Sequence, residues 1–261
     1  MNRVTRTFRR LQKDRRCGLV AYVTCGDPDL DTTVDIVKAL ETAGADCIEL
    51  GVPFSDPIAD GPVIQAASFR ALQRGTTVAG VFDAARRIRE SSEIPLVAFT
   101  YLNPLLRFGI ERFAEEGTAA GIDAVLITDL PPEAAGELRE TLRKHGVGMV
   151  FLVAPTSTIE RMRLAERFSD GFVYYISTTG VTGVRSDLAR GLLERLKVVR
   201  EKVRKPLAVG FGVSSHEHYS ELAPHCDAVV VGSAIVRAVS EGDPGGAAER
   251  AADVVRSILG R

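Results

Sequence analysis

The sequence predicts an α/β fold in which eight parallel strands, each followed by a helix, close into a barrel. Three observations predict it. Apolar runs bounded by turn residues recur at 18–25, 46–52, 95–101, 124–129, 148–154, 171–177, 206–211 and 228–233, each the length of one buried strand. Between them lie stretches with helical spacing, at 31–40, 81–88, 110–119, 134–144, 159–168 and 188–203. The 261 residues contain no linker, low-complexity segment or composition break, which suits one (β/α)8 domain over 1–261, the TIM-barrel class. A doubly wound open sheet is the competing architecture. Against it, the first βα turn, Thr24-Cys25-Gly26-Asp27-Pro28, lacks the glycine spacing of a dinucleotide site.

Taken in order, the chain begins with seven basic residues between Met1 and Arg16, and with Val4, Phe8 and Leu11 at helical spacing. This segment reads as a short amphipathic helix capping the fold, with a transit peptide as the alternative. The gap between the second and third runs leaves room for two helices, so an insertion after strand two is expected. With 33 basic and 34 acidic residues the net charge is -1, which favours neither nucleic acid nor an anionic membrane as partner. No apolar run approaches the roughly 18 residues of a membrane span. The four cysteines show no close pairing in sequence, as expected for reduced thiols in a cytoplasmic protein.

In such a barrel the active site lies at the C-terminal ends of the strands. Those ends are Tyr22 and Thr24, Glu49, then Phe99, Tyr101 and Asn103, then Ile127 and Asp129, then Tyr174 and Ser177. The last two runs end in Gly210-Phe211-Gly212-Val213-Ser214 and Gly232-Ser233. Glycines and serines there suit phosphate, held by backbone N–H groups and a helix N-terminus; tight βα turns are the plainer reading. None of the six lysines falls at a strand end, which disfavours a Schiff-base aldolase. His216 and His218 are two apart on a helix and point away from each other, so metal ligation is not expected and all four histidines read as solvated. Cys25 lacks a histidine partner and reads as packing.

Two carboxylates remain. Alternation puts Cys47, Glu49 and Gly51 on one face of strand two, so Glu49 sits where a barrel carries interior residues. A carboxylate there is costly unless protonated, paired or used. Asp60, eleven residues on in a proline-rich loop, is equally consistent with a catalytic group and with ordinary Asp-Gly-Pro turn chemistry.

The stretch Glu49-Leu-Gly-Val-Pro-Phe-Ser-Asp-Pro-Ile-Ala-Asp-Gly-Pro62, with Ser177-Thr-Thr-Gly-Val-Thr-Gly183, closely resembles the tryptophan synthase alpha subunit family. Agreement extends to Thr24-Cys-Gly-Asp-Pro28, Tyr101-Leu-Asn-Pro104, Asp129-Leu-Pro-Pro132, Gly210-Phe-Gly-Val-Ser214 and Gly232-Ser233. The resemblance implies retro-aldol cleavage of indole-3-glycerol phosphate to indole and glyceraldehyde 3-phosphate. It makes Glu49 the general acid/base, Asp60 the acceptor of the indole N–H, and Tyr174 the active-site tyrosine. Tyr22, Phe99, Tyr101, Ile127 and Asp129 become the expected indole-binding set, and Gly183, Phe211, Gly212, Gly232 and Ser233 the phosphate contacts. It also implies a PLP-dependent beta subunit in an alpha2-beta2 heterotetramer, no cofactor in this chain, and an interface near Asp56, Pro57, Ile58 and the Asn103-Pro104 turn. Thr178 stands where some members carry Arg, so loop closure would rely more on Thr182 and the Asp60 loop. The absence of Trp from the chain suits an enzyme needed when tryptophan is scarce. Two other readings stand beside this one: a non-catalytic indole-binding or activating subunit, and another phosphate-binding barrel of amino-acid biosynthesis.

Overall fold

A computed structural model describes residues 2–176, 185–210 and 212–261, with 185–190 as backbone only. Its parallel strands are β1 (Gly18–Thr24), β2 (Cys47–Gly51), β3 (Leu96–Thr100), β4 (Ala124–Ile127), β5 (Gly148–Val150), β6 (Leu152–Val153), β7 (Val173–Ile176), β8 (Leu207–Gly210) and β9 (Ala228–Val231). They pair in the order β5-β4-β3-β2-β1-β9-β8-β7-β6. β5 and β6 are two segments of the fifth apolar run, parted only by Phe151. The two ends of the sheet therefore meet in one stretch of chain, and the strands occupy the eight positions of a barrel.

Alternation divides the strand residues between two cores. Leu19, Ala21, Ile48, Leu50, Leu96, Ala98, Val125, Ile127, Tyr175 and Val229 pack outward against the helices. Val20, Cys47, Val97, Ala124, Leu126, Val150, Tyr174, Ala208 and Val230 fill the interior. The first helix, α1 (Arg3–Lys13), closes the bottom of that interior with Val4, Phe8 and Leu11. Phe8 stacks on Phe172 at 4.5 Å between ring centroids. The basic N-terminal segment is thus a plug whose apolar stripe completes the core.

The insertion after strand two consists of α3 (Pro62–Gln73) and α4 (Val78–Arg89), preceded by α2 (Leu30–Ala43) on the first crossover. Pro62 opens α3, where its missing N–H costs nothing. One expectation is corrected here: Asn103 and Pro104 form no turn but lie in the first turn of a helix, α5 (Leu102–Phe108), where proline is equally tolerated. The remaining helices are α6 (Ile110–Ala119), α7 (Gly136–Lys144), α8 (Ile159–Phe168), α9 (Arg185–Lys202), α10 (His216–Leu222), α11 (Ser233–Ser240) and α12 (Ala247–Leu259).

The bottom of the barrel carries a fourfold motif that the sequence pattern does not announce. Asp46, Asp123, Asp170 and Asp227 each precede an even position of the ring. Their carboxylates accept the N–H of Leu19, Leu96, Met149 and Leu207 on the neighbouring strand. Their own N–H groups donate to the carbonyls of the same four residues. Each carboxylate thereby fixes the register of one strand pair at its start, within the first two residues of the strand. Asp123 also binds Arg89 at 2.9 Å and Arg3 at 3.2 Å, tying α4 and α1 to the sheet. Asp123→Asn is expected to lower stability by about 2 kcal/mol, since it weakens charge-assisted bonds while keeping the shape. The urea midpoint of the variant checks this; an unchanged midpoint would show that the charge contributes nothing.

The four cysteines are free thiols, and Cys17 and Cys226, far apart in sequence, bring their sulfurs within 3.8 Å just before β1 and β9. One further expectation changes. His216 and His145 are not merely solvated: Nδ1 of His216 meets the Ile258 carbonyl at 3.0 Å, and His145 pairs with Glu111 at 2.9 Å. No helix among the described residues is long and apolar enough to cross a membrane.

Candidate active site

Glu49 lies at the centre of β2, beside Tyr22 of β1 and Val97 of β3 in the sheet register. Its interior parity is fixed by Ile48 and Leu50, which pack outward. It is 1% exposed, and its Oε1 has no hydrogen-bond partner. Burial pushes the carboxyl up to about 8, because an ion in that apolar setting loses its hydration without compensation. At neutral pH the folded protein holds Glu49 as a neutral acid.

Asp60 reaches the same space from the loop between β2 and α3, and several side chains hold that loop. Ser68 accepts the Phe54 N–H at 2.9 Å, and Gln65 donates to the Asp60 carbonyl at 2.8 Å. The Tyr101 hydroxyl accepts the Ala59 N–H at 2.9 Å. Burial raises the Asp60 carboxyl to about 6, and its hydrogen bond with Tyr101 limits the rise. Two carboxyls of one cavity are thereby given different protonation states between about pH 6 and 8.

Tyr22 and Tyr174 complete the chamber. Tyr174, on the strand opposite β2 in the ring, is interior and 7% exposed. Its hydroxyl is driven upward by burial and then by the Glu49 and Asp60 charges, whereas Tyr22 feels burial first and then Asp60. Two glycines make room for these rings. A Cβ on Gly51 would stand 2.2 Å from the Tyr22 hydroxyl, and one on Gly210 would stand 2.5 Å from that of Tyr174. Tyr22 meets Phe99 edge-on at 5.2 Å. The pair packs with Val63, Ile64 and Ala67 of α3 and Val236 of α11, an apolar, aromatic-faced slot of the kind that suits a flat aromatic ring.

Beyond that slot, Gly232 and Ser233 open α11, whose start has no side-chain cap. The first N–H groups of such a helix are a ready site for an anion. Gly212 stands nearby in the chain after β8, with φ at 62°. Gly183, Phe211, Thr182 and Thr178 lie outside the described residues.

The structure does not bring every expected residue to the chamber. Ile127 packs outward in the helix-facing core, and the interior residue of β4 is Leu126. Asp129 is exposed and accepts the Leu102 N–H at 2.8 Å, fastening the start of α5. Tyr101 packs on Phe54 at 5.1 Å between centroids and belongs to the Asp60 loop. Gln65, Ser68 and the α3 face were not foreseen. Only Val63, Ile64 and Ala67, at helical spacing, left a signal that could have revealed them.

The lysines stay away from the mouth; Lys205 Nζ, for example, binds the Glu166 and Ser169 carbonyls at the end of α8. Cys25 is buried and its thiol is pushed up to about 12, which suits packing and not attack. The cluster with metal-ligand composition among the described residues is Glu111, Glu115 and His145, on the outer surface between α6 and α7.

Of the expected interface residues, Asp56 and Asn103 are exposed, and Ile58 is 83% exposed. Phe69 of α3 and Leu106 of α5 are also exposed.

Residues 8–258 match the family model described as tryptophan synthase alpha chain. The chain is 52% identical over 241 residues to the tryptophan synthase alpha chain of Solibacter usitatus, covering 92% of this chain and 90% of that one. It resembles the crystal structure of tryptophan synthase subunit alpha from Legionella pneumophila, with a TM-score of 0.90 and 34% identity over 99% and 97% of the two chains. A Pyrococcus furiosus structure concerned with mutual activation of the tryptophan synthase a2b2 complex matches with a TM-score of 0.89 and 39% identity, over 94% of this chain and 98% of that one.

Proposed function

The chain belongs to the tryptophan synthase alpha chain family, and on that basis we propose that Glu49 and Asp60 divide the proton chemistry of its alpha reaction. The protein is a carbon–carbon lyase, cleaving indole-3-glycerol phosphate to indole and glyceraldehyde 3-phosphate. The observation that carries the assignment is the buried Glu49 carboxyl, whose Oε1 has no hydrogen-bond partner.

Neutral Glu49 donates its proton to indole C3. The ring becomes cationic, and ionised Asp60 accepts the ring N–H and stabilises the charge. The bond between C3 and the glycerol carbon then breaks, its electron pair returning to the ring. As the new carbonyl forms, the Glu49 carboxylate takes the proton of the adjacent hydroxyl and is neutral again. One residue thus serves as acid and then base, which requires a carboxyl near neutrality. Tyr22 and Phe99 hold the ring. Gly232, Ser233 and Gly212, with Gly183 and Phe211, are assigned the phosphate, whose binding fixes the reacting carbon against Glu49. Ile127 and Asp129 take no part in ring binding in this reading.

The partner is a beta subunit, in an alpha2-beta2 assembly. This chain needs no cofactor for an acid/base cleavage, and PLP belongs to the beta subunit. A cytoplasmic location fits a biosynthetic enzyme of this kind. Ile58, projecting from the loop that carries Asp60, is assigned to the interface with Asp56, Pro57, Asn103 and Pro104. Ile58→Asp is expected to weaken beta-subunit binding about tenfold or more, measured by calorimetry; unchanged affinity would remove Ile58 from the interface. The function itself is tested by indole release from indole-3-glycerol phosphate with a cognate beta subunit present. Release that proceeds at the wild-type rate in Glu49→Gln would overturn the assignment, and no release by the wild type would overturn the activity.

A further inference from the structure

We infer that Tyr101 is a positioning residue for Asp60: its hydroxyl holds the Asp60 loop and carboxylate in place, and it is not a wall of the ring-binding slot. The inference rests on the reading of Asp60 given above. Tyr101 follows the last residue of β3 and is the N-cap of α5, so the rigid sheet and a helix start together fix its backbone. The following residue is tied as well, because Asp129 accepts the Leu102 N–H at 2.8 Å. From this fixed base the side chain crosses to the loop. Its ring packs on Phe54, and its hydroxyl accepts the Ala59 N–H at 2.9 Å. The hydroxyl proton is then free to go to the neighbouring Asp60 carboxylate, its hydrogen-bond partner.

One hydroxyl therefore accepts from the backbone at position 59 and donates to the side chain at position 60. Such a pair of bonds fixes both the path of the loop and the aim of the carboxylate. Among the described residues, the Asp60 charge also acts on Tyr22 of β1 and Tyr174 of β7. Both are uncharged at neutral pH, so among the described residues Tyr101 is the side chain placed to stabilise the Asp60 anion. The Ala59 contact also gives the exposed Ile58 side of the loop a mechanical link to the site.

Tyr101→Phe keeps the ring on Phe54 and deletes both bonds. Two readouts are expected to move. The Asp60 carboxyl, followed by carbon-13 NMR, should titrate at higher pH than in the wild type, because the bond that stabilises its anion is gone. In the indole-release assay kcat should fall about tenfold with little change in KM, and the acid limb of kcat/KM should rise by the same interval as the NMR midpoint. An unchanged Asp60 midpoint with unchanged kcat would overturn the inference, as would a rise in KM alone, which would mark a ring-binding contact. The NMR titration needs no turnover, so failure of wild-type indole release would count against the proposed function while the midpoint still tests the role of Tyr101.

Discussion

Glu49→Gln is expected to lower indole release by about 10³-fold, within the range for loss of a general acid/base, while making the protein more stable above pH 5. The activity falls because an amide of the same shape has no proton to give C3 and cannot take one from the hydroxyl. The stability rises because the wild type stores a cost at this position. A carboxyl whose pKa is about 8 when folded and about 4.5 when unfolded binds its proton more tightly in the folded state. The stability it contributes is complete below pH 4.5 and is lost as the pH rises through about 8. Removing it should therefore leave stability unchanged near pH 4 and increase it by about 5 kcal/mol above pH 8. Urea unfolding of both proteins at the two pH values reads the difference. Equal stability at both would mean that Glu49 is solvated or paired, contrary to its bare Oε1.

Asp60→Asn should lower kcat/KM by about 10²-fold. The substitution keeps size and loop position but removes the negative charge that balances the cationic ring. Its diagnostic feature is the pH profile. The wild type loses activity below about pH 6, where Asp60 takes up a proton, and the Asn variant should have no such limb. Wild-type activity in this variant would remove Asp60 from the mechanism. A normal acid limb on a reduced rate would give that limb to another group.

The barrel was legible because its strands are buried on both faces and so read as unbroken apolar runs. Glu49 was legible for the complementary reason, as a carboxylate at an interior parity with apolar neighbours on either side. Strand ends are less legible than strands. The fourth run extends to 129 in sequence, but β4 stops at Ile127, and its interior residues are Ala124 and Leu126. Ile127 therefore has outward parity and Asp129 lies beyond the strand.

Tyr101 also lies beyond the end of its strand. The strand stops at Thr100 and the next residue already caps α5, so its side chain follows no pleat. Asp60 had no signal of its own, because Asp before Gly-Pro is ordinary turn chemistry; only the family resemblance singled it out. The fourfold aspartate motif depends on hydrogen bonds between segments far apart in sequence, which spacing alone does not display.

The pH dependence of kcat/KM for indole release by the wild type reports the groups of the free enzyme. A bell is expected, its acid limb near 6, where Asp60 must be ionised, and its alkaline limb near 8, where Glu49 must keep its proton. A rate that stays level or rises between pH 7 and 9 would contradict it, since Glu49 would then act from its ionised form.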